Sequence, residues 1–156
     1  MEMILVSSCL LGFDCKYDGG SNENEKALEL FERSAMVPIC PESLADLPVP
    51  RPPAEIRGGD GSDVLDGNAK VIDKHNRDLT NEFVDGAYQA LQQARMHGAN
   101  LAILKARSPS CGKGQIYTGE FNGELKEGDG VTAALLKRNG IQVYTEEEID
   151  KIVDKL

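Results

Sequence analysis

The chain has 156 residues, four cysteines, two histidines and no tryptophan, and its 17 Lys and Arg stand against 26 Asp and Glu for a formal net charge of −9. This length suits one domain that buries roughly two-thirds of its unfolded surface and folds without disulfides. The acidic balance argues against a general binder of nucleic acid or anionic membrane, and no apolar run approaches the roughly 20 residues of a membrane span. Met1–Val6 lacks the basic segment of a secretory leader, so a soluble, cytoplasmic domain is expected. Met3–Ser8 reads as a buried strand ending in Ser-Ser-Cys, and a polar loop with Gly12, Asp14, Gly19 and Gly20 follows. Glu25 to Ala35 is helical in pattern, with Leu28, Leu30 and Phe31 as its apolar residues, and Met36–Ile39 is a second strand with proline near its start. Residues 41–63 carry five of the seven prolines, which predicts a stiff stretch without helix or ladder pairing.

Val71-Ile72 is a further short strand. Asp78 or Thr80 can cap a long helix that carries Phe83, Ala87, Ala90, Leu91 and Ala94 on one face and stops at Gly98 after His97. Leu101–Leu104 is a strand, residues 112–130 read as a glycine-rich hairpin, Val131 to Asn139 as a helix and Ile141–Tyr144 as the last strand. Thr145 with Glu148 forms a capping box for a terminal helix. This alternation predicts an α/β fold: a single three-layer, Rossmann-like domain with a mostly parallel sheet.

Ligands of open α/β sheets sit beyond the carboxyl ends of the strands, and three cysteines fall at such positions: Cys9, Cys40 and Cys111. Cys15 lies further along the first loop. A thiolate cluster holding a metal or an iron–sulfur centre is one reading, and small buried hydrophobes near strand ends are the other. The spacing matches none of the compact zinc or ferredoxin runs, although turn residues follow Cys9, Cys40 and Cys111. A phosphatase-type thiol nucleophile is unsupported, because Cys15 stands where the anion-cradling arginine is needed, and there is no C-x-x-C. His97 at a helix end and His75 in a polar turn read as structural. Glu42, two residues after Cys40, is a candidate for proton transfer, Ser108 and Ser110 for substrate hydrogen bonding, and Arg51 on the proline-rich loop for binding an anionic ligand or pairing with Glu55.

The segments taken together carry a resemblance. Ser7-Ser8-Cys9-Leu10-Leu11-Gly12 with Tyr17-Asp18-Gly19, Cys40-Pro41-Glu42 with Pro50-Arg51-Pro52-Pro53-Ala54-Glu55, Ser108-Pro109-Ser110-Cys111-Gly112 and Gly128-Asp129-Gly130 resemble the bacterial and archaeal thiouracil desulfidase family over nearly the whole chain. The resemblance implies a [4Fe–4S] cluster with three cysteine ligands, matching Cys9, Cys40 and Cys111, with Cys15 left over. It implies one iron open to a substrate thiocarbonyl sulfur, and hydrolysis without redox change: 2-thiouracil and water give uracil and hydrogen sulfide. Glu42 matches the proton-transfer acid, and Ser108 or Ser110 positions substrate or relays a proton. Such a cluster is oxygen-sensitive and is lost in aerobic preparations. The implied partner is a small thiolated pyrimidine, with no membrane and no tight nucleic-acid binding. A desulfidase for another thioamide, or a non-catalytic metal- or cluster-binding or redox-sensing module, are the alternatives. The chain departs from the family pattern at Asp46, where glycine is expected before Leu-Pro, at Tyr117-Thr118-Gly119, and in the segment Lys74 to Thr80.

Overall fold

In the computed structural model, which describes residues 3–153, β1 (Met3–Ser7) leads through a 3-10 turn and a long loop into α1 (Glu25–Arg33). β2 (Ala35–Ile39), the short α2 (Pro41–Leu44), β3 (Ala54–Arg57), α3 (Gly61–Leu65) and β4 (Lys70–Asp73) follow. α4 (Thr80–His97), β5 (Leu101–Leu104), β6 (Gln115–Tyr117), β7 (Leu125–Glu127), α5 (Val131–Arg138), β8 (Gln142–Thr145) and α6 (Ile149–Ile152) complete the order. Met1 and Glu2, part of the expected leader-free start, lie outside the described residues.

The central sheet has the order β2-β1-β5-β8, and every pairing in it is parallel. Two antiparallel pairs, β3–β4 and β6–β7, stand apart from it. Side chains alternate across the sheet, so both faces of β1 and β5 need cover, and their continuous apolar runs follow from that. Ile4, Val6, Leu101 and Ile103 pack with Ala27 and Leu30 of α1 and with Ile149 and Ile152 of α6. Leu5, Ala102 and Leu104 meet Phe83, Ala87 and Leu91 of α4 and Leu135 and Leu136 of α5 on the other face. Helices, sheet and helices make the three layers.

Several local expectations change. In α1 the buried residues are Ala27 and Leu30, while Phe31 is 45% exposed, because the stripe facing the sheet is narrower than the apolar pattern. Pro38 sits within β2, and its missing donor is tolerated because β2 is an edge strand. The stretch 41–63 does contain helix and ladder: α2 starts at Pro41, and β3 and the start of α3 follow Pro53. Pro41 occupies the start of α2, where no intrahelical N–H is needed, and β3 begins directly after Pro53. The Thr145–Glu148 capping box closes a 3-10 turn that runs into α6. Gly98, with φ 67°, ends α4 as expected, and Asp78 accepts from the Thr80 amide at 2.9 Å. No helix among the described residues is long and apolar enough to cross a membrane.

Candidate active site

β1, β2 and β5 are neighbours, so the loops after their carboxyl ends meet over one edge of the sheet. A cavity of about 420 Å³ opens there, lined by all four cysteines together with Glu42, Arg51, Ser108 and Ser110. Every residue singled out for chemistry in the sequence therefore reaches the same cavity. Neither histidine lines it. Cys15 departs most from expectation: instead of standing apart, it lines the same wall as Cys9 and Cys40.

Local structure fixes each group. Cys9 lies in the 3-10 turn after β1, whose left-handed Gly12 (φ 94°) closes back onto the Cys9 carbonyl at 3.3 Å. Cys40 is the residue before α2, and its carbonyl accepts the Leu44 amide at 2.9 Å. The Ser108–Cys111 turn is held from inside and outside. Ser108 Oγ accepts the Cys111 amide at 2.7 Å, and the amides of Val131 and Thr132 at the start of α5 donate to the carbonyls of Pro109 and Ser110, both at 2.8 Å. The first amides of α5, which have no partner within the helix, are thereby used to clamp the cysteine turn. Close approach there requires Gly130, since a Cβ at that position would lie 2.6 Å from the Ser110 carbonyl.

The four thiols are free, Cys111 fully buried and the others half-buried. Hydrogen bonding with Cys15 is the largest influence on both Cys40 and Cys9: it brings the Cys40 thiol down to about 7 and lowers Cys9, against the opposing effect of burial. The same hydrogen bonds, with Cys40 and then Cys9, push the Cys15 thiol up, and burial adds to the rise. Burial pushes Cys111 up, reinforced by the nearby Glu42 charge and only partly offset by hydrogen bonds with Ser7 and Ser110. Ser110 Oγ is 3.6 Å from the Cys111 sulfur and 3.3 Å from Ser108 Oγ.

Glu42 stands in the first turn of α2, with Oε2 3.5 Å from the Cys40 sulfur. Arg51 Nη2 lies 3.7 Å from the same oxygen and donates to the Cys15 carbonyl at 3.1 Å. Glu55 does not pair with Arg51; it accepts the amides of Gly119 and Phe121 at 2.9 and 3.1 Å and so holds the β6–β7 tip against the cavity wall. Two residues were missed in the sequence. Ser7 accepts the Lys105 amide at 2.9 Å and hydrogen-bonds the Cys111 thiol, and Asn22 hydrogen-bonds Cys9. Ser7 lay within the quoted motif as a strand residue, whereas no local pattern marks Asn22, which a loop folds back.

Soft sulfur donors from three strand ends, converging on one cavity, are the donor chemistry that an iron–sulfur cluster takes. No group of three His, Cys, Asp or Glu among the described residues converges tightly enough to hold a single metal ion. The four cysteines nonetheless line one cavity, and thiols are the donors that an iron–sulfur cluster takes. This defines a class: a three-layer α/β protein with a thiol-lined cavity at the carboxyl edge of its parallel sheet. The chain belongs to the 2-thiouracil desulfurase family, whose model matches residues 4–148. It is 46% identical over 151 residues to YbbK of Bacillus subtilis (strain 168), an entire protein described as uncharacterized, across 97% of this chain and 100% of that one. It also matches the solved structure of the [4Fe-4S]-dependent thiouracil desulfidase TudS (DUF523Vcz) with a TM-score of 0.86 at 40% identity, covering 98% of this chain and 96% of that one.

Proposed function

We propose that the protein is a [4Fe–4S]-dependent desulfidase that hydrolyses a thiolated pyrimidine, converting 2-thiouracil and water to uracil and hydrogen sulfide. The observation that carries this reading is the convergence of Cys9, Cys40 and Cys111 with Glu42 on one cavity. Cys9, Cys40 and Cys111 would hold the cluster. When bound there, the cluster supplies one iron without a protein ligand, a soft Lewis acid for a thiocarbonyl sulfur.

The protein's own groups do the rest. Glu42 takes a proton from the attacking water as oxygen bonds to the thiocarbonyl carbon and returns it to sulfur as the carbon–sulfur bond breaks; the remaining hydroxyl proton is lost as the new carbonyl forms and completes hydrogen sulfide. Ser108 Oγ accepts the Cys111 amide with one lone pair and keeps its hydroxyl proton to offer to substrate or to Ser110. Ser110, which is 1% exposed and directed at the Cys111 sulfur, is the better fit for stabilising that ligand. Apolar walls from Ile39, Leu79 and Phe83 suit a planar pyrimidine ring.

Anaerobic purification tests the reading: the protein should be brown, contain about four irons, and release sulfide and uracil from 2-thiouracil. Colourless protein with stoichiometric zinc and no iron overturns it. The contact of Cys15 with both Cys9 and Cys40 favours one second reading, a centre with all four cysteines bound and no open position. Loss of iron from Cys15→Ser, together with absence of turnover in the unsubstituted protein, would establish that alternative.

A further inference from the structure

Read from sequence, Arg51 is a contact for an anionic ligand. Its position favours a different task. The side chains of Arg51 and Glu42 are only 9% and 13% exposed, and the Arg51 guanidinium is already occupied by protein. Nη1 donates to the Pro48 carbonyl at 3.2 Å, Nη2 donates to the Cys15 carbonyl at 3.1 Å, and Nη2 is 3.7 Å from Glu42 Oε2. The Arg51 amide also bonds the Tyr17 carbonyl, so main chain and side chain both grip the loop after β1.

The three places this one residue reaches come from different parts of the fold. Cys15 and Tyr17 belong to the β1 loop, Glu42 to the first turn of α2, and Pro48 to the proline-rich loop that carries Arg51 itself. Prolines at 48, 50, 52 and 53 restrict the backbone around Arg51, so the guanidinium is presented from a stiff support. Its planar fork can serve two carbonyls and a carboxylate together, which a lysine ammonium does less well. Among the described residues Glu42 has no other ion-pair partner, and the contacts made by its carboxylate, to Arg51 and to the Cys40 sulfur, all engage Oε2. Among the described residues no hydrogen bond or ion pair engages Oε1, and Glu42 lines the cavity. Oε2 carries the ion pair, at 3.7 Å, and Oε1 is the oxygen without a protein contact among the described residues.

We propose that Arg51 is a positioning residue: it fixes the Glu42 carboxylate by Oε2 so that Oε1 faces the reacting water, and ties the Cys15 loop to the same anchor. This rests on the reading of Glu42 as the proton-transfer group. A residue that acts through another should change the rate of the chemical step and leave substrate affinity nearly alone.

The test uses iron-loaded protein with rates normalised to iron content, and compares Arg51→Ala, Arg51→Lys, Glu42→Gln and the Arg51→Ala/Glu42→Gln double variant on 2-thiouracil. Arg51→Ala is expected to lower kcat by about 10- to 100-fold, as loss of a supporting partner does, with KM within about threefold. Arg51→Lys should recover part of that loss, and the double variant should be no slower than Glu42→Gln alone. Amide hydrogen exchange of residues 13–18, measured on protein without substrate, should accelerate in Arg51→Ala and less so in Arg51→Lys. A KM raised more than about tenfold with kcat retained would make Arg51 a substrate contact and overturn the proposal. A further loss from Arg51→Ala in the Glu42→Gln background would overturn it too, because Arg51 would then act independently. Full turnover by Glu42→Gln instead removes the Glu42 reading itself, whatever the Arg51 variants do.

Discussion

Gly86 of α4 packs its bare α-carbon against the carbonyl of Pro41, and a Cβ built there would fall 2.3 Å from that oxygen. The contact matters because Pro41 sits between Cys40 and Glu42, so α4 sets the position of the turn that delivers both. Gly86→Ala gains helix propensity of up to about 1 kcal/mol, but it must displace backbone rather than a flexible side chain. The expected net result is destabilisation of about 1–3 kcal/mol, together with reduced iron retention. Denaturant unfolding and iron analysis check it, and a more stable Gly86→Ala protein with full iron would contradict it.

The cysteines should separate into three and one. Anaerobically reconstituted Cys9→Ser, Cys40→Ser and Cys111→Ser proteins are expected to lose most of their iron, while Cys15→Ser keeps it. Iron and acid-labile sulfide counts decide the matter. Because Cys15 is the hydrogen-bond partner of Cys9 and Cys40, its loss should still alter the near-ultraviolet and visible spectrum.

Ser108 has a structural duty apart from any contact with substrate. Its Oγ is the acceptor for the Cys111 amide at 2.7 Å. Ser108→Ala should therefore cost about 1 kcal/mol of stability, the usual size of a lost side-chain cap, in addition to its effect on turnover. A thermal midpoint unchanged from the parent would show that water replaces the hydroxyl.

Asp46 adopts φ 63°, the left-handed backbone that favours glycine, at the position where the family resemblance leads one to expect glycine. The turn it makes brings the Leu47 amide to the Glu42 carbonyl at 3.0 Å. Relieving a left-handed L-residue recovers about 1 kcal/mol, less the extra freedom that glycine has in the unfolded chain. Asp46→Gly is thus expected to raise the urea midpoint slightly without changing turnover. A lowered midpoint would mean that the Asp46 side chain stabilises the turn.

Asp73 governs an acid limb of stability. Burial on its own would raise its carboxyl, but the amide of Arg77, the Arg77 guanidinium and the amide of His75 outweigh burial and hold it below the ordinary carboxylate range. A depressed folded value means that its stabilisation is fully present above the unfolded value of about 3.9 and is lost as pH falls through the lower folded value. Asp73→Asn should be less stable at neutral pH and should lose less of its stability between about pH 5 and pH 3. Parallel melting curves for the two proteins across that range would refute this.

Much of this was legible in the residues. Uninterrupted apolar runs such as Leu101–Leu104 mark strands buried on both faces, and a parallel sheet then places Cys9, Cys40 and Cys111 on one edge. The Cys15 contact was not legible, because it depends on how the loop after Gly12 returns over the sheet. The engagement of Arg51 by Pro48 and Cys15 is likewise a matter of the proline-rich loop meeting the loop after β1, with no periodicity to announce it. The proline-rich stretch misled for a physical reason: prolines at helix starts and just outside strands punctuate regular structure without preventing it.

The clamp of α5 on the Ser108–Cys111 turn has a temporal consequence. The proposed ligands lie on three strand ends far apart in the chain, and the last is held by amides of a helix that follows it. During synthesis, Cys9 and Cys40 emerge long before their third companion, and that companion is not locked until α5 has emerged and docked. An iron donor that arrives early would therefore meet an incomplete set of thiols, and loading of the proposed cofactor is expected to follow the docking of α5.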